Sequence, residues 1–409
     1  MGLNKFIVNI SFLGGINVIN FGLNLIVLPH LISVLGIEEW GKIVFIQILI
    51  NYGVWVTDWS YNISGVRVVS QFKDDKNKIS IIYSNIFFSK LLILNIVILI
   101  SLIYAVINWE NKLYLFGILM IPSSFLISSW FYYGVGESYI MVLLQMLQKL
   151  VAVPLIFAYV GDINSSYKYF VIYGVTGIFF GLVSQVIIKS KFKIKLVPVS
   201  LFNSFKELRR EWPLFTSNIW SLLFNTTIPF LMGLYNFNSM LGIYSVVDRI
   251  RSGLIQVTHP ITHTLYPKMC ELYSINYKSI KKFLIISGVG ILLVSITEVI
   301  ISWIYSEYIL QFFKVDNFEN TKLIFNILLI TVPIITISEF MIYQVIIPSG
   351  KDRLLIRIKY HTFLFSGIIS LAMIYQYELL GAAYSSLISE FFILFLIFFM
   401  MKKERNGSF

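Results

Sequence analysis

What most constrains this chain is a succession of apolar segments, each about twenty residues or longer, separated by short polar gaps. A segment of that length matches a helix crossing the hydrocarbon layer, where the backbone must satisfy its own hydrogen bonds. Twelve such segments are drawn, over residues 6–36, 42–64, 79–107, 113–135, 139–160, 167–189, 212–235, 239–267, 283–306, 321–347, 355–376 and 379–401. Composition agrees, with 57% hydrophobic and only 13% charged residues, against about 25% charged in a soluble domain. The expected fold class is an all-α integral membrane protein with twelve transmembrane helices. The first segment is too long for a signal-peptide core and has no clear cleavage site, so it is expected to be retained.

The net charge of +11 would suit nucleic acid, but its placement argues for a membrane instead. With the N-terminus inside, the inner segments, gaps with the span ends beside them, hold 23 Lys and Arg and the outer ones five: Lys42, Lys112, Lys168, Lys314 and Lys322. That bias is the positive-inside pattern, and an even number of spans puts both termini in the cytoplasm. No nucleic-acid partner is expected. The single cysteine, Cys270, excludes an intrachain disulfide and a cysteine-based metal site.

The longest polar gap carries Lys191, Lys193, Lys195, Lys206, Arg209 and Arg210 and divides the chain nearly in half. The expected organisation is a six-helix bundle over 1–189, a basic cytoplasmic linker over 190–211 and a second six-helix bundle over 212–409. The halves share landmarks: Pro29 and Pro229 are 200 residues apart, and Gly41 and Gly242 are 201 apart. Pro122 and Pro333 each fall in the fourth span of a half. Such spacing fits parallel repeats related by an axis along the membrane normal.

The eighth segment is apolar enough to span yet contains Asp248, Arg249, Arg251, His259 and His263. At 100° per residue, Asp248, Arg251, Ser252, Gln256, His259, Thr262, His263 and Tyr266 share one broad face. Asp248 and Arg251 are i,i+3 neighbours and can neutralise each other. A mid-bilayer charge costs about 2.5–3.5 kcal/mol on insertion scales, so this face is expected to look into a polar cavity or protein interior. Lys90 and Lys149 lie inside the third and fifth spans, where snorkelling competes with cavity lining. Asp58 lies in the second span, and Glu298, Glu339 and Glu390 lie in apolar spans of the second half. These carboxylates are candidates for ion coupling or charge pairing. His259 and His263 have metal-ligand spacing but no third ligand, so no metal or other cofactor is expected. Trp130–Tyr133 read as an interfacial aromatic belt, with stacking on a sugar as the alternative.

Two stretches carry a family resemblance: LPHLISVLGIEEWGKIVFIQ followed by WVTDWSYNISGVRVVSQ, and LGIYSVVDRIRSGLIQVTHPITHTLYPKM. Together with the span number and the 6+6 repeat they resemble Wzx-type flippases, polysaccharide exporters of the MATE-like multidrug/oligosaccharidyl-lipid/polysaccharide superfamily. The resemblance implies two MATE-like six-helix bundles in the inner membrane. It also implies an undecaprenyl-diphosphate-linked oligosaccharide as cargo, moved to the outer face for O-antigen or related polysaccharide. A polysaccharide polymerase and a chain-length regulator would be its partners. On that reading Arg249, Arg251, Lys149 and Lys90 form the basic substrate path, since guanidinium groups bind phosphate bidentately and stay charged. Asp58, Asp248, Glu298 and Glu339 are then the coupling or charge-pairing residues, and no catalytic residue is assigned.

Two other classes compete. A membrane polymerase or ligase is an enzyme with similar hydropathy, but it usually carries a large outward loop, whereas the longest outer gap here is residues 306–320. No P-loop, GxSxG or acidic nucleotide-sugar cluster is present. A multidrug exporter of the same superfamily would favour acidic rather than basic walls. A lipid II flippase would differ in cargo and carry extra helices.

Overall fold

The computed structural model describes residues 22–23, 25–72, 75–107, 112–275, 277–315 and 318–406. The first expected span lies partly outside them, at 6–21 and 24, as do Lys5 and Lys73 of the inner-gap count. The described chain is built from helices: α1 (Leu25–Leu35), α2 (Ile37–Asp58), α3 (Tyr61–Gln71), α4 (Lys76–Ile107), α5 (Lys112–Gly117), α6 (Met120–Ile127), α7 (Ser129–Gly134), α8 (Ser138–Tyr159), α9 (Tyr167–Ser190), α10 (Leu201–Leu234), α11 (Asn238–Ile275), α12 (Tyr277–Ile304), α13 (Ser306–Phe312), α14 (Phe318–Met341) and α15 (Asp352–Asn406). A 3₁₀ turn at Ile163–Ser165 precedes α9, and a π-helical segment, Ile342–Ile346, ends α14.

Among the described residues, eight helical stretches are long and apolar enough to cross a membrane, so the chain is a multi-pass membrane protein. The last of them, Arg353–Lys402, is 50 residues long. At 1.5 Å per residue that far exceeds one bilayer crossing, and Glu378 (φ 50°, ψ −120°) breaks it where the sequence separates segments 355–376 and 379–401. Helices α10 and α11, of 34 and 38 residues, are long enough to cross but more polar. They carry Lys206–Glu211 and the Asp248, Arg249 and Arg251 group respectively.

Several drawn spans have breaks that hydropathy does not mark. Trp59 (φ 48°) and Ser60 (φ 66°) adopt left-handed backbone and separate α2 from α3. Ser128 (φ 47°) separates α6 from α7, so the expected 113–135 span is built from α5, α6 and α7. Residues 193–200 are not helical, but α10 begins at Leu201, so 201–211 belong to a helix rather than to a loop.

The described chain divides into two compact units, one drawn from Met1–Glu39 and Ile43–Asn218, the other from Trp40–Lys42 and Ile219–Phe409. In the first, α6 and α9 pack at backbone contact. A Cβ at Gly174, Gly177 or Gly181 would lie 2.6–2.7 Å from the Cβ of Leu119, Ser123 or Leu126. Small residues at such spacing are how membrane helices approach closely when no water-driven collapse holds them together. The run Trp130, Phe131 and Tyr132 is fully buried there. Its rings pack on Tyr83 and Phe192. The expected aromatic belt is therefore corrected: only Tyr133 of that run is exposed. In the second unit an apolar cluster of Ile346, Leu354, Ile358, Leu396 and Ile397 joins the π-helical end of α14 to both arms of α15.

Candidate functional site

In the second unit the polar face of α11 is turned inward. Arg251 pairs with Asp248 one turn earlier on the same helix, as the i,i+3 spacing requires. Its Nη1 donates to Ser386 Oγ of α15 at 3.0 Å and to Thr331 Oγ1 of α14 at 3.4 Å. Its Nε is buried and has no partner among the described residues. One turn beyond Ser386, Glu390 joins Arg251, Asn225, Tyr244, Ser366 and Ser389 around a cavity of about 40 Å³. That space holds a water molecule or two, since a single water needs roughly 10–15 Å³. A sugar does not fit it.

Arg249 is only two residues away, which on a helix is about 200° around the axis. It therefore leaves the Arg251 cluster and lies over the Trp40 ring, 4.7 Å from the centroid, within the same unit. Trp40 is fully buried and held by a 2.9 Å bond from its Nε1 to Ser245 Oγ. A guanidinium over an indole face is a favourable cation–π arrangement.

Further along the same face, His259 Nε2 lies 3.6 Å from Glu339 Oε2 of α14. The His259 and His263 ring centroids lie 4.6 Å apart with the planes tilted by 43°, and His263 lies 4.5 Å from the Tyr343 ring. Gln344, fully buried in the π-helical segment, donates to the Thr262 carbonyl at 2.7 Å. A π-helical turn shifts the register of the residues after it, which here brings Gln344 onto α11. Both carboxylate oxygens of Glu298, on α12, are buried without a hydrogen-bond partner among the described residues.

In the first unit Lys90 Nζ of α4 meets Asp58 Oδ1 of α2 at 3.0 Å, with the two side chains 5% and 16% exposed. The other Asp58 oxygen accepts from Asn62 Nδ2 at 2.8 Å. Each carboxylate oxygen thus has a donor, which is what makes a buried pair tolerable. Lys149 is half-buried on α8, next to Gln148, whose amide donates to the Tyr173 carbonyl at 3.4 Å. The eight residues singled out from the sequence therefore do not form one cluster. Asp248 joins Arg251, Asp58 joins Lys90, Glu339 joins His259, and Arg249, Lys149 and Glu298 occupy separate places. Sequence reasoning gave Glu390 no role ahead of the other glutamates. Its i,i+4 spacing from Ser386 is visible in sequence, but its approach to Arg251 comes from a helix some 130 residues away.

The fold and the sequence have relatives among known proteins. A protein of Escherichia coli K12 named O-antigen transporter is 24% identical over 278 residues, 66% of each chain. One of Shigella dysenteriae with the same name is 22% identical over 410 aligned positions, covering 96% of this chain and 98% of that one. Among solved structures, the lipid II flippase MurJ in an inward closed conformation superposes with a TM-score of 0.75 at 13% identity, over 96% of this chain and 87% of that one. A multidrug resistance MATE family transporter of the MOP superfamily, inward-facing, gives 0.71 at 9% identity, over 95% and 96%. These two likenesses show that the chain shares the fold of those two proteins. The family model described as polysaccharide biosynthesis protein matches residues 6–273, well over half of the sequence, and on that match the chain belongs to the polysaccharide biosynthesis protein family.

Proposed function

We propose that this protein is a flippase for an undecaprenyl-diphosphate-linked oligosaccharide repeat unit. It carries that unit from the cytoplasmic to the outer face of the inner membrane, for O-antigen or a related surface polysaccharide. The observation that carries the reading is the family match over 6–273. It is supported by a relative named O-antigen transporter that aligns along 96% of the chain. Both of these relatives are named transporters, which favours transport over a membrane polymerase or ligase. On this reading the twelve segments all cross the bilayer, both termini are cytoplasmic, and the 1–189 and 212–409 bundles rock about the 190–211 linker. The exported units then pass to a polymerase and a chain-length regulator.

Arg251 is the residue we assign to the diphosphate. Its guanidinium is held ready by Asp248, Ser386 and Thr331, and its adjoining space is water-sized. Phosphate contact therefore requires α15 to withdraw from α11, freeing bonds that the phosphate oxygens replace. Arg249 and Lys149 supply positive potential along the route. Lys90 is better explained as the partner of Asp58, because its ammonium is already engaged in a buried site. Glu298 and Glu339 remain our candidates for coupling to an ion gradient: Glu298 because its carboxylate lacks a protein partner among the described residues, Glu339 because it faces His259.

The test is a deletion strain complemented with the wild-type gene or with Arg251→Ala. With the wild type, surface polysaccharide returns. With Arg251→Ala at equal protein level, the lipid extract holds accumulated single-repeat lipid-linked oligosaccharide and the surface lacks polymer. Full polymer from the alanine variant would remove Arg251 from the path. Capped single repeats at the surface of the deletion strain, without polymer, would make the chain a polymerase. An unchanged glycan profile with new drug sensitivity would make it a drug exporter.

A further inference from the structure

The first unit has a second feature that the proposed transport does not use. Where α2 breaks, the left-handed backbone of Trp59 turns its indole onto α10, donating Nε1–H to the Leu208 carbonyl at 2.9 Å. The ring stacks on Phe215 at 4.2 Å and lies 5.6 Å from Trp212. This aromatic wall, with Ile96 and Ile100 of α4 and Phe205 and Leu208 of α10, borders an open cavity of about 460 Å³. That size lies within the range of small-molecule sites, and the surface is almost wholly carbon. Ile96, Ile100, Phe205 and Trp212 are all exposed at its edge, and in a membrane protein an exposed apolar edge faces lipid.

One charged residue, Arg209, contributes to the wall. The adjacent Arg210 is engaged by both Glu207 and Glu211. Exposed Arg209 has no carboxylate partner among the described residues, and Lys206 precedes it at i−3 on the same side of the helix. The N-terminal turns of α10 thus combine exposed Leu201, Phe202 and Phe205 with Lys206 and Arg209, the pattern of a helix lying at a membrane interface. A carbon-lined groove that ends at an unneutralised guanidinium matches an amphiphile with a long apolar chain and a phosphate.

We propose that this groove is a binding site for one anionic phospholipid, with an acyl chain against Trp59, Ile96 and Trp212 and its phosphate on Arg209. A phosphodiester carries one negative charge, matching the single free guanidinium in the wall. The site is independent of the cargo reading.

Native mass spectrometry of the full-length protein, released from nanodiscs of phosphatidylcholine doped with phosphatidylglycerol, tests it. The wild type should retain phosphatidylglycerol in preference to phosphatidylcholine. Arg209→Gln, at an exposed position, should lower that preference about tenfold, the scale of one charge-assisted hydrogen bond. Ile96→Trp, which fills the groove and leaves the charge in place, should lose the adduct. Equal retention of both lipids by the wild type, or an unchanged preference in Arg209→Gln, would overturn the proposal. Displacement of phosphatidylglycerol by undecaprenyl phosphate at equal mole fraction would overturn it too, and would reassign the groove to the cargo's tail.

Discussion

The Lys90–Asp58 pair lies where two opposite charges have lost most of their hydration, so neither can be removed alone without stranding the other. Lys90→Met should cost about 3–5 kcal/mol, and Asp58→Asn/Lys90→Met should return most of it. The comparison is thermal unfolding of the four proteins in detergent. If the double variant folds and complements export, Lys90 is structural, as argued above; if it folds but fails to export, Lys90 belongs to the path. A second residue-scale prediction concerns Asp75, outside the spans. Its Oδ1 accepts from the backbone N–H of Asn77 and of Lys78, each at 3.1 Å, at the start of α4. Those bonds, the Lys78 amide first, hold its carboxyl below the ordinary 3.8. A lowered folded value means that the cap is fully present above 3.8 and is lost as pH falls through the folded value. Hydrogen exchange at Asn77 and Lys78 should therefore accelerate, beyond its intrinsic pH trend, on acidification below that point in the wild type. It should not do so in Asp75→Asn, whose amide oxygen accepts at any pH. The same acceleration in both would show that the fraying has another cause.

Among the elements, α6 and α9 pack at backbone contact. A methyl at Gly177 would lie 2.7 Å from Ser123 Cβ, well inside van der Waals contact. Gly177→Ala should cost about 1–3 kcal/mol by overpacking, and Ser123→Gly, by removing the opposing Cβ, should recover part of it in the double variant. Additive losses in the thermal melts would mean that the helices separate instead of sharing one contact. This contact also illustrates what sequence can and cannot carry. The glycines at 174, 177 and 181 are visible as small residues in an apolar run, yet only α6 tells which helix they meet. Apolar runs made most helices legible, because a spanning segment has to satisfy its own backbone. The breaks at Trp59 and Ser128 were not legible, since left-handed backbone at a non-glycine residue is imposed by its surroundings and leaves no mark in hydropathy. The start of α10 was hidden for the opposite reason: Leu201–Glu211 keeps a helical period but carries too many charges to read as a span. At the site, the local Asp248–Arg251 pair was predictable from spacing. Ser386, Thr331 and Glu390 were not, because they arrive from other helices. Arg249 and Arg251 were grouped by chemistry, but helix geometry points them apart.

For the whole molecule, the boundary between the compact units does not coincide with the polar gap that divides the sequence. The first unit extends to Asn218, because the early turns of α10 pack through Trp212 and Phe215 on Trp59 and through the Asn218 amide on Ser60 Oγ at 3.1 Å. The non-helical stretch before α10 is itself tied to α4, the Val197 amide donating to Ser84 Oγ at 2.8 Å and the Lys195 amide to Ser80 Oγ at 3.2 Å. Ser200 then starts α10, accepting from the Asn203 amide at 3.3 Å. A cut between Val199 and Ser200 keeps the bonds of Lys195, Val197 and Ser200 within one fragment or the other and interrupts no helix, leaving the Trp59 stack and the Asn218–Ser60 bond to re-form between the fragments. A cut between Asn218 and Ile219 follows the boundary of the units but leaves two raw helix ends, each with up to four unsatisfied backbone groups, beside hydrocarbon. Co-expressed fragments 1–199 and 200–409 should therefore restore surface polysaccharide in a deletion strain, and fragments 1–218 and 219–409 should not, measured at matched fragment levels. Equal recovery from both pairs would mean that continuity of α10 is dispensable.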